Sequence, residues 1–144
     1  MTATAPSQVN LAGTVQTTNT TMTLGDAGTP IVLDANTTLS GNTAGDIALG
    51  GTVNGAYSLT ANTTGDTTFT LAVGGSTALS SLTTNSGGTT YINGGAVTTS
   101  GTQTYNDAIV LGANTTITTT NSDISFASTI GGGTYNLTLD AGSG

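Results

Sequence analysis

The 144-residue sequence contains no Lys, Arg, His, Cys or Trp, and all seven of its acidic residues are Asp. Each absence closes off chemistry. Without His, Lys or Cys there is no imidazole or amine acid–base group, no thiol nucleophile and no Schiff base. A Cys/His zinc centre and a disulfide are both impossible. The net charge is -7 with no cation. Phosphate neutralisation therefore cannot drive binding, and neither nucleic acid nor an anionic membrane is expected as a partner. Crosslinks that need a Lys amine are excluded as well.

Long apolar runs are also missing. The start, MTATAPSQVN, has no basic region and no apolar core, so it does not read as a signal peptide. Stretches such as Ile31 to Leu33 and Ile109 to Leu111 are far shorter than the about 20 residues of a membrane-spanning helix. Leu, Ile, Val and Phe together number 28 of 144, a share at which disorder becomes plausible. Disorder also calls for high net charge, and seven charges over this length are sparse.

What is present points to strands and turns. Thr makes up 36 of the 144 residues and Gly a further 22. Thr is β-branched and fits a pleated surface. Gly and Asn tolerate the left-handed conformations of tight turns. Apolar residues alternate with Thr, Ser or Asn, as in Met22/Leu24, Ile31/Leu33, Ile47/Leu49 and Phe69/Leu71/Val73. Period-two alternation gives a strand one buried and one wet face. Turn signals such as NG, SGG and GGG separate the runs.

The chain repeats itself. IVLDANTT at 31–38 returns as IVLGANTT at 109–116, and YSLT at 57–60 as YNLT at 135–138, both offset by 78. DIAL at 46–49 returns as DISF at 123–126, offset by 77. Inside this long unit, Gly precedes Asp26, Asp46 and Asp66, which are spaced by 20. The expectation is four subunits of roughly 20 residues in each long repeat. A unit with three or four apolar side chains cannot by itself offset about 1–2 kcal/mol of backbone entropy per residue. Stacked units can, because each strand pairs with its equivalent one turn away. The fold expected is an all-β, right-handed parallel β-helix, or β-solenoid, with coils of about 20 residues; a β-sandwich is the alternative. Residues 1–25 fit the register poorly and are assigned to an N-terminal cap or lead-in strand, with the solenoid repeats over 26–144.

The phrases AGTPIVLDANTTL, TYNDAIVLGANTTI, GGGTYNLTLDAGSG and GDTTFTLAVGGSTALSSLTTNSGG resemble the β-strand repeats of giant bacterial surface proteins. These are the filamentous-haemagglutinin-like adhesins and autotransporter-associated repeats. The resemblance covers about residues 25 to 144. It implies a right-handed β-helix rod at the bacterial cell surface, outside the cell. The N-P-N-L-type export signature is missing, so the resemblance implies an interior piece of the rod. The function expected is a stiff, non-enzymatic structural segment presenting a distal binding region. A self-assembling fibre or matrix subunit is the runner-up, and a glycan- or ice-binding Thr-rich face the third.

No catalytic residue, cofactor or metal is assigned. The one metal alternative is calcium on Asp26, Asp46 and Asp66, since calcium takes several oxygens. A nine-residue calcium roll does not fit the 20-residue spacing, and Asp capping a turn accounts for the same residues. Five Asn-x-Thr sequons, at Asn19, Asn36, Asn62, Asn114 and Asn136, follow from the abundance of Thr. Tyr57, Tyr91, Tyr105 and Tyr135 are candidate platforms for surface glycans. Leu49, Phe69, Ile109 and Phe126 are expected in the core at equivalent points of successive coils. The partner expected is a second copy, associating end to end through an open strand edge at Tyr135–Asp140, either head to tail or tail to tail.

Overall fold

The computed structural model describes residues 7–142, and every regular element among them is a strand. In chain order these are β1 Val9–Gln16, β2 Met22–Leu24, β3 Ile31–Asn42, β4 Ile47–Leu49, β5 Val53–Asn54, β6 Ser58–Thr63, β7 Thr67–Phe69 and β8 Ser81–Thr84. They continue as β9 Thr89–Ile92, β10 Ala96–Thr98, β11 Gln103–Tyr105, β12 Ala108–Leu111, β13 Thr115–Thr118, β14 Ile124–Phe126, β15 Ile130–Gly131 and β16 Leu137–Asp140. Gly, Asn and Asp at the corners keep most strands to a few residues.

The strands form three sheets, of orders β1-β3-β6-β8-β11-β14 (with β5 also on β3), β10-β13-β16 and β2-β4-β7-β9-β12-β15. All the ladders between named strands are parallel. The chain is a parallel β-solenoid of about six turns with a spacing near 22 residues. Each turn passes over three faces. The first carries the inward column Val9, Ile31, Val53, Val73, Val97, Ile117 and Leu139. The second carries Val15, Leu39, Ala61, Thr84, Tyr105 and Phe126. The third carries Met22, Ile47, Thr67, Thr90, Ile109 and Ile130. The segment Val9–Leu24 forms a turn of its own, pairing with β3 and β4.

The long repeat turns out to be out of phase with the coil. Ile31 lies on the first face but Ile109 on the third; Leu59 lies on the second but Leu137 on the first. Ile47 lies on the third but Ile124 on the second. All three matches make the same step, three and two-thirds turns. The long repeat therefore covers eleven successive faces, not four whole coils. The short spacing seen in the sequence is real between Ile47 and Thr67, which pair on adjacent coils. The coil before it is longer, because Met22 pairs with Ile47.

The core is correspondingly rearranged. Leu49, Phe69 and Ile109 are buried, at 1% exposure or less. Leu49 and Phe69 do stack, and the column continues through Ile92 and Leu111. Ile109 belongs to the neighbouring column on the same face. Phe126 sits on another face and is only half-buried, because it lies in the last coil on that face. Its ring stacks on Tyr105, with centroids 5.3 Å apart.

Tyr105 is wholly buried and donates to Gln103 Oε1 at 2.7 Å, while Gln103 Nε2 donates to Thr99 Oγ1 and Thr118 O. Burial pushes the Tyr105 hydroxyl well above the usual phenol range. An acid whose folded pKa is raised contributes stability below its unfolded value and loses it above. Stability should therefore hold up to about pH 10 and fall beyond it. Denaturant melts at pH 8 and 11 check this; Tyr105→Phe should lose the high-pH slope while weakening the fold at neutral pH.

Candidate functional site

The corners are where ladder bonding lapses, so their backbone N–H groups need other acceptors. Asx side chains of an adjacent coil supply them. Asp66 N–H donates to Asp46 Oδ1 (2.9 Å), and Thr89 N–H donates to Asp66 Oδ1 (3.0 Å). Ser58 N–H donates to Asn36 Oδ1 (3.1 Å), and Asn136 N–H donates to Asn114 Oδ1 (3.0 Å). Asn54 Oδ1 accepts from Ser76 and Thr77. Asp107, 2% exposed, accepts from Gly88 N–H and Thr90 Oγ1. Two of the five sequon amides, Asn36 and Asn114, are thus fastened to the next coil.

The three candidate calcium ligands do not form one column. Asp46 and Asp66 precede paired strands on adjacent coils. Asp26 follows β2 at a different corner and caps its own turn, accepting from Gly28 N–H at 2.8 Å. That bond and the Thr29 hydroxyl hold its carboxyl below the usual carboxylate range. Among the described residues no group of three ligating side chains could hold a metal ion, and no pocket opens. The capping role gives a prediction. Asp46→Asn keeps an Oδ1 acceptor and should melt within about a degree of the parent, with or without EDTA. Asp46→Ala leaves Asp66 N–H unpaired and should cost about 1 kcal/mol. Thermal melts with calcium and with EDTA decide between capping and a cation.

The outer faces differ sharply. On the seven-stranded sheet, Thr14, Thr38, Thr60, Thr83, Thr104 and Ser125 pair in one outward column. Every coil contributes a hydroxyl. The strands that carry them lie about 4.8 Å apart. Ser58 and Ser81 flank the column on one side, and Gln16, Ser40 and Asn62 on the other. The equivalent column on the six-stranded sheet reads Thr23, Ala48, Thr68, Tyr91, Val110 and Gly131, with no such regularity. No Tyr stands in the hydroxyl column: Tyr105 is inside, Tyr57 and Tyr135 are exposed elsewhere, and Tyr91 faces outward from β9.

This column escaped the sequence because its members are unevenly spaced along the chain: the step from Thr14 to Thr38 is longer than that from Thr83 to Thr104. A fixed period cannot collect them; only the pairing register does. Comparison with known proteins adds nothing further: no family model, no curated protein and no solved structure matches this chain.

Proposed function

We propose that this chain is a stiff, non-enzymatic rod segment of an extracellular bacterial surface adhesin, spacing a distal binding region from the cell. The observation that carries this is the parallel pairing continued through about six turns on all three faces. To bend such an object, strand ladders must be stretched on one side. Each turn adds about 4.8 Å of length by the same bonding as the last. The absence of Lys and Arg, which leaves no site for trypsin-like proteases, supports a life outside the cell.

A spacer must be extendable turn by turn. Val53 pairs with Val73, so residues 53–72 make one complete turn. Deleting them should leave a folded solenoid shorter by one coil, by circular dichroism and X-ray scattering. Deleting only 53–62 breaks the register and should abolish the cooperative melt. Failure of the whole-turn deletion to fold would overturn the extendable rod.

The hydroxyl column favours a second reading, a face that binds an ordered neutral surface, glycan or ice. Retention on crystalline polysaccharide, or shaping of ice crystals, abolished by Thr60→Tyr plus Thr83→Tyr but not by Thr68→Tyr, would support it. A pure spacer shows neither.

A further inference from the structure

The sequence holds two Asn-Gly pairs, Asn54-Gly55 and Asn93-Gly94. Such a pair carries its own chemistry. The glycine backbone nitrogen is within reach of the asparagine side-chain carbonyl carbon, and no Cβ on the glycine shields it. The solenoid treats the two pairs differently. Asn54, half-buried at the end of β5, has its Oδ1 fastened by two N–H groups of the next coil, Ser76 at 2.8 Å and Thr77 at 3.2 Å. Gly55 N–H in turn donates to Thr77 O at 3.2 Å. Side-chain carbonyl and backbone nitrogen are thus both held by the same neighbouring segment. Asn93 is exposed, just after β9. Its own N–H is anchored on Phe69 O at 2.9 Å. Its side-chain amide has no hydrogen-bond partner among the described residues, and neither has Gly94 N–H. Asn93 Oδ1 rests against Gly112 of the next coil, where a Cβ would collide with it.

We propose that Asn93 is a self-modification site, at which the folded chain converts its own amide to a carboxylate, while the coil stacked on Asn54 protects that residue. Gly94 N attacks Asn93 Cγ and gives its proton to water. The Cγ–Nδ2 bond breaks and ammonia leaves, closing a cyclic succinimide. Water then opens the ring. Addition at Cγ yields aspartate; addition at the main-chain carbonyl yields isoaspartate, whose backbone runs through Cβ and Cγ. No oxidant and no second protein enters, and the net exchange is one water for one ammonia. Each event adds a negative charge to a chain of net charge -7 that has no cation to offset it. The two products differ in what they do to the coil. Aspartate leaves the backbone as it was. Isoaspartate inserts a further backbone atom beside Gly94, which already lies so close to the Leu71–Ala72 peptide that a Cβ would overlap it. The solenoid therefore records its own age at one exposed corner, between β9 and β10.

The full 144-residue chain, kept folded in heavy-oxygen water at mildly alkaline pH, tests this directly. Ion exchange should show a more acidic species accumulating, and site-resolved mass spectrometry should place the heavy oxygen at residue 93. In the folded chain Asn93 should convert at least about tenfold faster than Asn54, because two hydrogen bonds must open before Asn54 Cγ is free. Local sequence favours neither pair, since β-branched Val53 and Ile92 precede them. In denaturing urea the two should therefore convert at similar rates. Asn93→Ser should keep the parent's circular dichroism and lose the acidic species. An Asn93 that stays an amide in the folded chain but converts in urea overturns the proposal. So does an Asn54 that keeps pace with it in the folded chain. A difference that persists in urea overturns it as well, since it would belong to the neighbouring sequence and not to the coil.

Discussion

Phe69→Ala should destabilise the solenoid by about 3–5 kcal/mol, the range for emptying a large buried site. Phe69 is 1% exposed and stands between Leu49 on the preceding coil and Ile92 on the following one. Its backbone neighbourhood is tied on both sides: Thr70 N–H donates to Leu49 O, and Asn93 N–H donates to Phe69 O. Coils held at a fixed spacing cannot close over the lost ring, so the cavity persists. Small domains are stable by only about 5–15 kcal/mol, so the variant should be close to unfolding at 37 °C. Phe126→Ala is the control. Its ring is half-buried in the last coil on its face and should cost clearly less, about 1–2 kcal/mol. Urea melts of the two variants check the order; equal losses would mean that the terminal coil is packed like the interior.

Gly74→Ala should be nearly as damaging, for a different reason. Gly74 has φ 72, and a Cβ there would lie 2.0 Å from the Thr98 carbonyl oxygen of the next coil. Gly74 N–H donates to Val53 O at 2.7 Å, and Thr98 N–H donates to Val73 O at 2.9 Å. An added methyl therefore pushes two coils apart at a point where both are bonded. Left-handed strain of about 1–2 kcal/mol adds to an overpacking cost of about 1–3 kcal/mol. Gly13 separates the two contributions: its φ is 71, but nothing lies within 4 Å of the added Cβ. Gly13→Ala should show the conformational part alone, about 1–2 kcal/mol. If the two variants melt together, the contact with Thr98 is not limiting.

The architecture was legible because apolar alternation, corner residues and a short period agree with one another. Ile47/Leu49 and Thr67/Phe69 show this best, since the spacing between these two pairs is a true coil. The register elsewhere was hidden by the abundance of Thr. Thr serves outside in the column from Thr14 to Thr104 and inside at Thr67, Thr84, Thr90 and Thr99. The same letter on both faces erases the contrast that would mark a strand's phase. Aligning DIAL with DISF equates Phe126 with Leu49, although the two lie on different faces. In the sequence Asp46 and Asp66 read only as caps of their own turns and Asn114 only as part of a sequon, because each acceptor's target lies a whole coil away along the chain.

The two copies of the long repeat sit eleven faces apart, so nearly the same stretch of chain is accommodated on different sides of the rod. Genetic exchange between misaligned copies then need not respect whole coils. A crossover joining the first IVLDANTT to the second IVLGANTT removes one full copy of the long repeat, and the reciprocal product gains it. In both products every strand still meets a strand below it, turned by a third of a revolution. Length variation in a gene of this kind is tolerated where whole faces are gained or lost, and not where the join falls inside a strand, as deletion of 53–62 does within β6.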